Sequence, residues 1–287
     1  MGRQEPGRSA PLPQERRHRD SAEIKGPRGY PSPWRHRSPR GRRGDHRGSQ
    51  QEARRARPVL KVTSAAELKR LAKLKQKKHR EVERLFLAEG RNLVHESPKP
   101  PLEIYEDPAA VGKLSTLATP TGPIALFPFL DVSSGELLGS RDLIVLLDGV
   151  QDPGNVGTVI RAAHAFGAGV ALSRGTADLY NPKTVRATMG SLFHAPVARE
   201  LDATAFLKEA HAAGFVSAAA MPEGGGVPAE VPGGKLILAV GSEGSGLPGE
   251  VVGACSMSVT IPVLAPSLNA AVAASILLYE AHNRMLG

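Results

Sequence analysis

The 287-residue chain has only one cysteine, Cys255. A single cysteine cannot form a disulfide within one chain, and it cannot build a zinc site that needs several thiolates. We therefore expect a reducing compartment, most simply the cytoplasm. The expected role of Cys255 is that of a small buried apolar side chain.

Long apolar runs are also missing. The most apolar C-terminal stretch, residues 270–278, is too short and too rich in small residues to span a bilayer. The N-terminus is basic, but it lacks the apolar core of a secretory signal. The sequence therefore predicts a soluble chain with no membrane segment.

Several common catalytic motifs are absent. The glycine-rich stretch near residue 241 does not end in Gly-Lys-Ser/Thr as a P-loop does, and its spacing differs from a dinucleotide fingerprint. No Gly-x-Ser-x-Gly elbow occurs, which disfavours a hydrolase. His164 and His194 have no cysteine or acidic cluster at ligand spacing, so we expect packing or surface roles for them and no bound metal.

Positive charge is unevenly distributed along the chain. Residues 1–57 carry 16 Lys and Arg against 6 Asp and Glu, and residues 58–100 carry 11 against 5. Residues 101–287 carry 10 against 17 and are therefore mildly acidic. A basic N-terminal part before an acidic body is typical of a polyanion-binding arm, and nucleic acid is the expected partner.

The first 57 residues are rich in Arg, Pro, Gly and Ser and poor in apolar residues. Such a composition buries too little surface to offset the entropy of ordering, so residues 1–57 are predicted to be a disordered basic arm. The arm either keeps the protein soluble and attracts RNA weakly, or makes a specific RNA contact. Its composition favours the first role.

A basic amphipathic helix is predicted after the arm. Thr63 or Ser64 can cap it with support from Glu67, and leucines then recur at helical spacing among basic residues. The helix is either an ordinary solvated face or a surface for an RNA backbone. The residues that we predict to bind RNA here are Lys73, Lys77, Lys78 and Arg80.

Residues 86–96 predict a short strand, a glycine turn and the start of another helix. A Pro- and Gly-rich turn at residues 119–123 precedes an apolar strand at residues 124–127. Pro98, Pro100 and Pro101 stand where a helix would continue, so the RNA-binding domain is predicted to be abbreviated or partly unfolded here. We place a domain boundary near residue 140, which gives a basic arm at 1–57, an RNA-binding domain with linker at 58–139 and a catalytic domain at 140–287.

From residue 141 onward, short apolar strands alternate with helices. The predicted strands are LIVLLDGV, GVALS, FVSAAA, LILAVG and SVTIPV, and the predicted helices lie near 156–166, 184–192 and 203–213 and at the C-terminus. This alternation predicts an α/β fold with a parallel sheet that is covered on both faces.

Three segments place Gly, Pro, Asn and Ser where predicted strands end, and such ends are where α/β sheets bind ligands. The segments are LDGVQDPGNVGTVIRAAHAFGAG, LILAVGSEGSGLP and VTIPVLAPSLNAAVAAS. In the first, Asn155 is predicted to cap a helix that carries Arg161 two turns later. The alternative is that Asn155 only caps, and that Arg161 only pairs with an acid such as Asp148 or Glu243.

The second segment contains Gly241, Gly244 and Gly246 around Glu243. Glycines allow the backbone of such a loop to approach a ligand closely and to donate amide hydrogens to it. A glycine-rich loop alone does not identify the ligand.

Taken together and in this order, the three segments resemble the signature motifs of the SpoU (TrmH) branch of the SPOUT RNA methyltransferases. NVGTVIRAAHAFGA is similar to the first motif, GSEGSGLP to the second and IPV…SLNAAVAAS to the third. NPKTVRATMGSLFHAPV resembles the helix segment between them, and it carries Arg186, which either contacts RNA phosphate or closes a salt bridge. Residues 61–90 resemble the small α+β, ribosomal-protein-like RNA-binding domain that often precedes the catalytic one.

The resemblance implies a catalytic domain with a deep trefoil knot, which ordinary topology rules treat as a rare exception. It implies S-adenosylmethionine as the cofactor, 2′-O-methylation of a ribose in ribosomal or transfer RNA as the reaction, and a homodimer that completes the RNA site. Ribosomal RNA is preferred because of the accessory domain and the arm. The implied cofactor-binding residues are Leu238, Val240, Gly241, Gly246, Ile261, Leu268 and Asn269.

In the family, the residue matching Arg161 handles the reacting ribose hydroxyl, with those matching Asn155, Glu243, Ser267 and Asn269 around it. Because arginine stays protonated in nearly all settings, we expect it to stabilise the developing oxyanion rather than to remove a proton. The chain departs from the family in a shorter stretch before Ser267 and in Ala270-Ala271 after the Asn. Two alternatives therefore stay open, namely a catalytically silent RNA-binding or ribosome-assembly factor and a base methyltransferase.

Overall fold

The computed structural model describes residues 64–286 and Gly2, and of Glu96 only the backbone. The chain divides into two compact units between Arg55 and Ala56, and residues 64–286 all belong to the second unit. The predicted arm at 1–57, including the expected disorder, lies outside the described residues apart from Gly2. No helix within the described residues is long and apolar enough to cross a membrane.

The sequence predicts one basic helix at the start of this unit, but the structure has two helices there. Helix α1 (Ala65–Ala72) begins at Ser64, whose hydroxyl accepts the amide hydrogen of Glu67 as expected. A short 3₁₀ turn (Lys73–Lys75) and helix α2 (Lys77–Glu83) follow it. Gln76 separates the two because its backbone is extended, with φ −101° and ψ 135°. The two helices remain linked, because Arg70 of α1 pairs with Glu83 of α2.

A small antiparallel sheet follows, with the strand order β1-β3-β2. Its strands are β1 (Leu85–Glu89), β2 (Glu103–Tyr105) and β3 (Ile124–Pro128). The predicted strand, glycine turn and helix at residues 86–96 are confirmed, since Gly90 precedes helix α3 (Arg91–Glu96). Helix α3 ends before Pro98, and the chain then forms β2 and helix α4 (Pro108–Leu114), so this part keeps regular structure after its prolines.

The second sheet has six strands, all paired in parallel, in the order β6-β5-β4-β8-β7-β9. This confirms the predicted parallel α/β fold. The strands are β4 (Leu143–Asp148), β5 (Gly169–Ser173), β6 (Val197–Leu201), β7 (Val216–Ala220), β8 (Leu236–Gly241) and β9 (Met257–Val259). The helices are α5 (Ser134–Ser140), α6 (Pro153–Ala165), α7 (Pro182–Ala187), α8 (Ala203–Ala212), α9 (Gly249–Ala254) and α10 (Ala270–Leu286).

Strand β6 was not predicted, and the helix predicted near 184–192 is shorter than expected. Helix α7 ends at Ala187 because Met189 and Gly190 both have left-handed backbones, with φ values of 49° and 95°. A 3₁₀ turn (Ser191–Phe193) then leads into β6. Helices α5 and α9 were also missed.

The two faces of the large sheet bury separate apolar cores, because side chains alternate along each strand. On β4, Val145 and Leu147 face the core that contains α6 and α10, whereas Ile144 and Leu146 face the core that contains α5, α8 and α9. The first core continues into the small sheet through Phe86 and Phe127. The small sheet is therefore joined to the catalytic body by a shared core.

The strand order predicts where a ligand binds. The chain runs outward from β4 through β5 to β6, and it then returns to build β7, β8 and β9 on the other side of β4. Open parallel sheets bind ligands at the carboxyl ends of the strands where the direction of winding changes. In this chain that point lies between β4 and β8.

Candidate functional site

A cavity of about 420 Å³ opens at the carboxyl end of β8. Its walls come from the glycine-rich loop at residues 241–246 and from the stretch at 261–270 that precedes α10. The predicted cofactor residues on its wall are Val240, Gly241, Gly246, Ile261 and Leu268. Neither Leu238, which is buried within β8, nor Asn269 lines the cavity. Two of the three sequence segments therefore form one pocket.

The glycine-rich loop is folded so tightly that Gly241 tolerates no side chain. A Cβ atom built on Gly241 would lie 2.2 Å from the carbonyl carbon of Gly246 and 2.4 Å from the amide nitrogen of Leu247. The loop is closed by a hydrogen bond of 3.0 Å from the Gly246 amide to the Ser242 carbonyl. Gly246 has φ +67°, a left-handed value that favours glycine. The loop thus turns its backbone toward the cavity.

Three polar side chains from the three segments meet at the edge of this cavity. The Asn269 side-chain amide donates to Glu243 Oε1 at 3.0 Å and to Asn155 Oδ1 at 3.2 Å. The Asn155 amide also donates to Glu243 Oε1. We call these three residues the polar triangle. It is the direct structural link between α6, the glycine-rich loop and the start of α10.

The capping role predicted for Asn155 is wrong. Helix α6 begins at Pro153, and Asp152 is its N-cap, accepting the Asn155 amide hydrogen at 3.1 Å. Proline fits the first helical position because it has no amide hydrogen to leave unpaired, so the helix begins earlier than predicted. Asn155 therefore lies in the first turn, and its side chain is available for the polar triangle. Asp152 also pairs with Lys183 at 2.7 Å, and this pairing lowers the pKa of its carboxyl.

Asn269 has a second role, since it precedes helix α10. Its Oδ1 accepts the amide hydrogens of Ala271 at 3.0 Å and of Val272 at 3.2 Å. An asparagine oxygen that accepts two amides at a helix start acts as an N-cap. One side chain thus fixes the start of α10 and binds both other members of the polar triangle.

We predict that Asn269→Ala lowers the free energy of unfolding by about 1 to 2 kcal/mol, the usual loss when a helix cap is removed. Chemical denaturation followed by circular dichroism measures this loss. Asn269→Ser is the control, because serine also caps helices but cannot reach across to Glu243 and Asn155. Its loss should be less than half of that for alanine, and equal losses in the two variants would contradict the capping role.

Arg161 lies two turns after Asn155 on α6 and is exposed. Among the described residues it has no hydrogen-bond or ion-pair partner, so the alternative of a pair with Asp148 or Glu243 is not observed. Its guanidinium is therefore available to a ligand. Ser267 lines the cavity together with Glu243.

The predicted RNA-binding residues divide into three groups. Lys73 and Lys78 are exposed, and Lys77 is exposed but pairs with Glu200 at 2.8 Å. Arg186 donates to the Thr116 hydroxyl at 2.8 Å and forms no ion pair among the described residues. The prediction for Arg80 is wrong, because only 3% of its surface is exposed and its guanidinium pairs with Asp178.

An open groove of about 430 Å³ between α6 and α10 was missed at the sequence level. Val272, Ile276 and Tyr279 lie at helical spacing along α10 and form one wall, while Phe166 contributes to the other. Val272 and Tyr279 are each about half exposed, at 47% and 52%. Asn155 and Asn269 stand at the end of this groove, so it adjoins the polar triangle.

None of His164, His194 and Cys255 lines the cavity. The rings of His164 and His194 stack nearly parallel at 4.7 Å between centroids. Within the described part of the chain, no group of three His, Cys, Asp or Glu side chains could hold a metal ion. Cys255 packs on the core that contains α8, and burial raises the pKa of its thiol.

Comparisons with known proteins agree on one family. The model of the SpoU rRNA Methylase family matches residues 142–279, and that of the MRM3-like substrate binding domain matches residues 65–106. The 23S rRNA (guanosine(2553)-2'-O)-methyltransferase RlmP of Bacillus subtilis is 33% identical over 236 residues, which cover 72% of this chain and 92% of that protein.

Solved structures give the same result. An AdoMet-bound rRNA methyltransferase from Sinorhizobium meliloti is 30% identical, with a TM-score of 0.71 over 79% of this chain and 98% of the other. The SpoU methyltransferase AviRb from Streptomyces viridochromogenes, solved with the cofactor AdoMet, is 26% identical, with a TM-score of 0.66 over 78% of this chain and 99% of the other.

Proposed function

This chain belongs to the SpoU rRNA methylase family, and we propose that it transfers a methyl group from S-adenosylmethionine to the 2′-hydroxyl of a ribose in ribosomal RNA. The observation that carries the proposal is the polar triangle, in which Asn155, Glu243 and Asn269 join three separate segments at one cavity. A carboxylate and two side-chain amides are thereby held together at the edge of a cavity large enough for a small-molecule cofactor.

The cavity fits the cofactor. Its volume of about 420 Å³ lies within the usual range for small-molecule sites. Its wall combines apolar side chains with the backbone of the glycine-rich loop. A Cβ atom on Gly241 would collide with the backbone of Gly246, so the loop needs a glycine there. The loop at 241–246 and the side chains of Ile261 and Leu268 would hold the cofactor. When bound, S-adenosylmethionine supplies a methyl group that its sulfonium has already activated.

The task that remains for the protein is to position a ribose oxygen and to stabilise charge on it. Arg161 is suited to this because it is a positively charged side chain that is exposed and unpaired among the described residues. Its fixed fork of donors can bind an oxygen that gains negative charge as it loses its proton. Asn155 and Asn269 hold the Glu243 carboxylate in place at the edge of the cavity.

The trefoil knot is part of the proposal. After β9, the Thr260 amide donates to the Gly226 carbonyl at 2.8 Å, and the Gly225 amide donates to the Thr260 hydroxyl at 3.0 Å. A Cβ atom on Gly225 would lie 2.7 Å from the backbone of Val259. These close contacts between the β7–β8 connection and the chain before α10 support the proposal that the chain is threaded there.

We also propose a homodimer whose subunits meet at the groove between α6 and α10. The groove is largely apolar, and the side chains of Val272 and Tyr279 are exposed on it. An exposed apolar patch of this kind is typical of a protein–protein interface. The groove ends at Asn155 and Asn269, so a second copy of the chain would stand next to the polar triangle and could complete the RNA site.

The domain organisation supports ribosomal RNA as the substrate class. We propose the division into a basic arm at 1–57, an RNA-binding domain with linker at 58–139 and a catalytic domain at 140–287. The match of residues 65–106 to a substrate binding domain supports this division. The name of the Bacillus subtilis relative favours ribosomal RNA as the substrate. Of the predicted RNA-binding cations, Lys73, Lys78 and Arg186 are available to RNA, and Lys77 joins them if its pair with Glu200 opens.

The test is incubation of the full chain with protein-free 23S ribosomal RNA and S-adenosylmethionine, followed by nuclease digestion and nucleoside mass spectrometry. A 2′-O-methylated nucleoside is expected. A nucleoside methylated on its base would show instead that the chain is a base methyltransferase.

The arm should change RNA affinity and leave turnover alone. Deleting residues 1–57 removes 16 cationic side chains, and a protein that neutralises fewer phosphates binds RNA with a weaker salt dependence. We expect affinity for 23S RNA to fall by about tenfold at low salt and to converge with that of the full chain at high salt, with kcat unchanged. Filter binding across a salt series measures this. Equal affinities at every salt concentration would exclude an RNA-binding arm.

A further inference from the structure

Helix α2 presents one face to the catalytic body. Lys77, Arg80 and Glu81 are spaced so that they share one side of this helix. Lys77 pairs with Glu200 of β6 at 2.8 Å. Glu81 receives two hydrogen bonds from the Arg199 guanidinium, also of β6, at 2.7 and 3.0 Å. Val82, on another side of α2, is 82% exposed.

The pair between Arg80 and Asp178 lies at the centre of this contact. Arg80 is 3% exposed and Asp178 is 10% exposed, so both charges are removed from water. Arg80 also donates to the Leu74 carbonyl at 2.7 Å. A buried charge that loses its partner is strongly unfavourable, which makes this contact costly to open.

The linker between the small sheet and the catalytic body is fixed as well. The Tyr180 hydroxyl accepts the amide hydrogens of Leu130 and Asp131 at 2.6 and 2.8 Å, and it donates to the Asp131 carboxylate at 2.6 Å. The rings of Phe129 and Tyr180 stack with centroids 3.9 Å apart. A segment held in this way cannot act as a free hinge.

Arg199 joins the linker to α2. Its side chain is 8% exposed, and its guanidinium lies over the Phe129 ring at 4.9 Å and over the Tyr180 ring at 5.5 Å. It also lies 3.3 Å from Asp131, in addition to its bonds with Glu81. These partners raise the pKa of Arg199, so the contact stays charged. We call the contacts of Arg80, Glu81, Arg199 and Asp131 the α2 clamp.

We propose that the α2 clamp holds the RNA-binding part and the catalytic site at a fixed distance, so that Glu81 and Arg199 are positioning residues for long RNA substrates. The partners of α2 lie on β6 and in the loop after β5, so the clamp fixes α2 to the same sheet that carries the polar triangle. RNA held by the exposed cations near α2 is then presented to Arg161 in one register. This inference rests on the proposed function.

The test compares methyl transfer to protein-free 23S RNA with transfer to a stem-loop of about twenty nucleotides around the methylated ribose. Glu81→Gln should lower kcat on 23S RNA by roughly fivefold or more, because small errors in placement are costly in rate. It should change kcat on the stem-loop and the affinity for S-adenosylmethionine by less than about twofold. Loss of rate on both RNAs alike would show that the clamp is merely structural.

Glu83→Gln is the matched control. It removes the same charge from the same helix, but Glu83 pairs with Arg70 of α1 and does not reach the catalytic body. Its kcat on both RNAs should match that of the wild type. Glu200→Gln adds a contrast, since it frees Lys77 and makes the surface more basic. If charge alone mattered, it would strengthen RNA binding and raise the rate, whereas the clamp, whose contacts do not include the Lys77 pair, predicts an unchanged kcat on 23S RNA.

A measurement without RNA decides the clamp independently. Spin labels are attached at Val82→Cys on α2 and Lys208→Cys on α8, in a Cys255→Ala background. Double electron–electron resonance then measures the distance between α2 and the catalytic body. The distance distribution should be narrow in the parent protein and in Glu83→Gln, and broader in Glu81→Gln. Equal widths would overturn the proposal. If the wild-type chain methylates neither RNA, the proposed function fails, and this measurement still tests the clamp.

Discussion

Replacing Arg161 with alanine is expected to lower kcat for RNA methylation by about 100- to 1,000-fold, the usual effect of removing one donor to a developing oxyanion. Affinity for S-adenosylmethionine should change by less than about twofold, because Arg161 does not line the cavity at the end of β8. Single-turnover methyl transfer to 23S RNA and calorimetry with the cofactor measure the two quantities separately.

Arg161→Lys distinguishes a fixed guanidinium from a simple positive charge. Lysine keeps the charge but loses the planar fork of donors, so we expect most of the activity to be lost here too. Near-full activity of the lysine variant would contradict the role that we give to the guanidinium. Unfolding is not a concern, because Arg161 is exposed and has no partner among the described residues.

Replacing Gly241 with alanine is expected to weaken S-adenosylmethionine binding by at least about 100-fold and to abolish methylation. A new Cβ atom would lie 2.2 Å from the Gly246 carbonyl carbon, where no real contact is possible, so the glycine-rich loop must open. The hydrogen bonds of Asn269 and Asn155 with Glu243 depend on that loop and should break when it opens. Calorimetry with the cofactor gives the change in affinity.

Gly244→Ala is the control for this prediction. Gly244 belongs to the same loop, but a Cβ atom built there meets nothing within 4 Å, and its φ is not left-handed. Its affinity for S-adenosylmethionine should stay within about threefold of the wild type, because no neighbouring atom has to move. If Gly241→Ala bound the cofactor as well as Gly244→Ala does, the tight loop would not be needed for binding.

Most of the large sheet could be predicted from the sequence because buried parallel strands are continuous apolar runs. The segments LIVLLD, GVALS and LILAVG are of this kind, and each forms a strand that is buried on both faces. Strand β6 escaped prediction because VAREL places Arg199 and Glu200 in its centre. These charges are tolerated because they pair with Glu81 and Lys77, which are more than 100 residues away in the sequence.

The same physical reason explains what was missed at the site. The side chains of the polar triangle were identified from local motifs, but their mutual hydrogen bonds depend on the strand order. In the sequence, Arg80 belongs to a run of basic residues that we predicted to be exposed. Only the fold shows that Arg80 is buried and paired with Asp178. The groove along α10 has a signal in the spacing of Val272, Ile276 and Tyr279, yet that spacing alone does not separate a buried face from an exposed one.

The central claim is that the cavity beside the polar triangle binds S-adenosylmethionine for methyl transfer. Calorimetric titration of the purified full chain with S-adenosylmethionine tests it most directly. We predict one cofactor per chain, with binding lost in Gly241→Ala and kept in Gly244→Ala. A wild-type chain that gives no binding signal would contradict this account, and it would support a catalytically silent RNA-binding factor on the same fold.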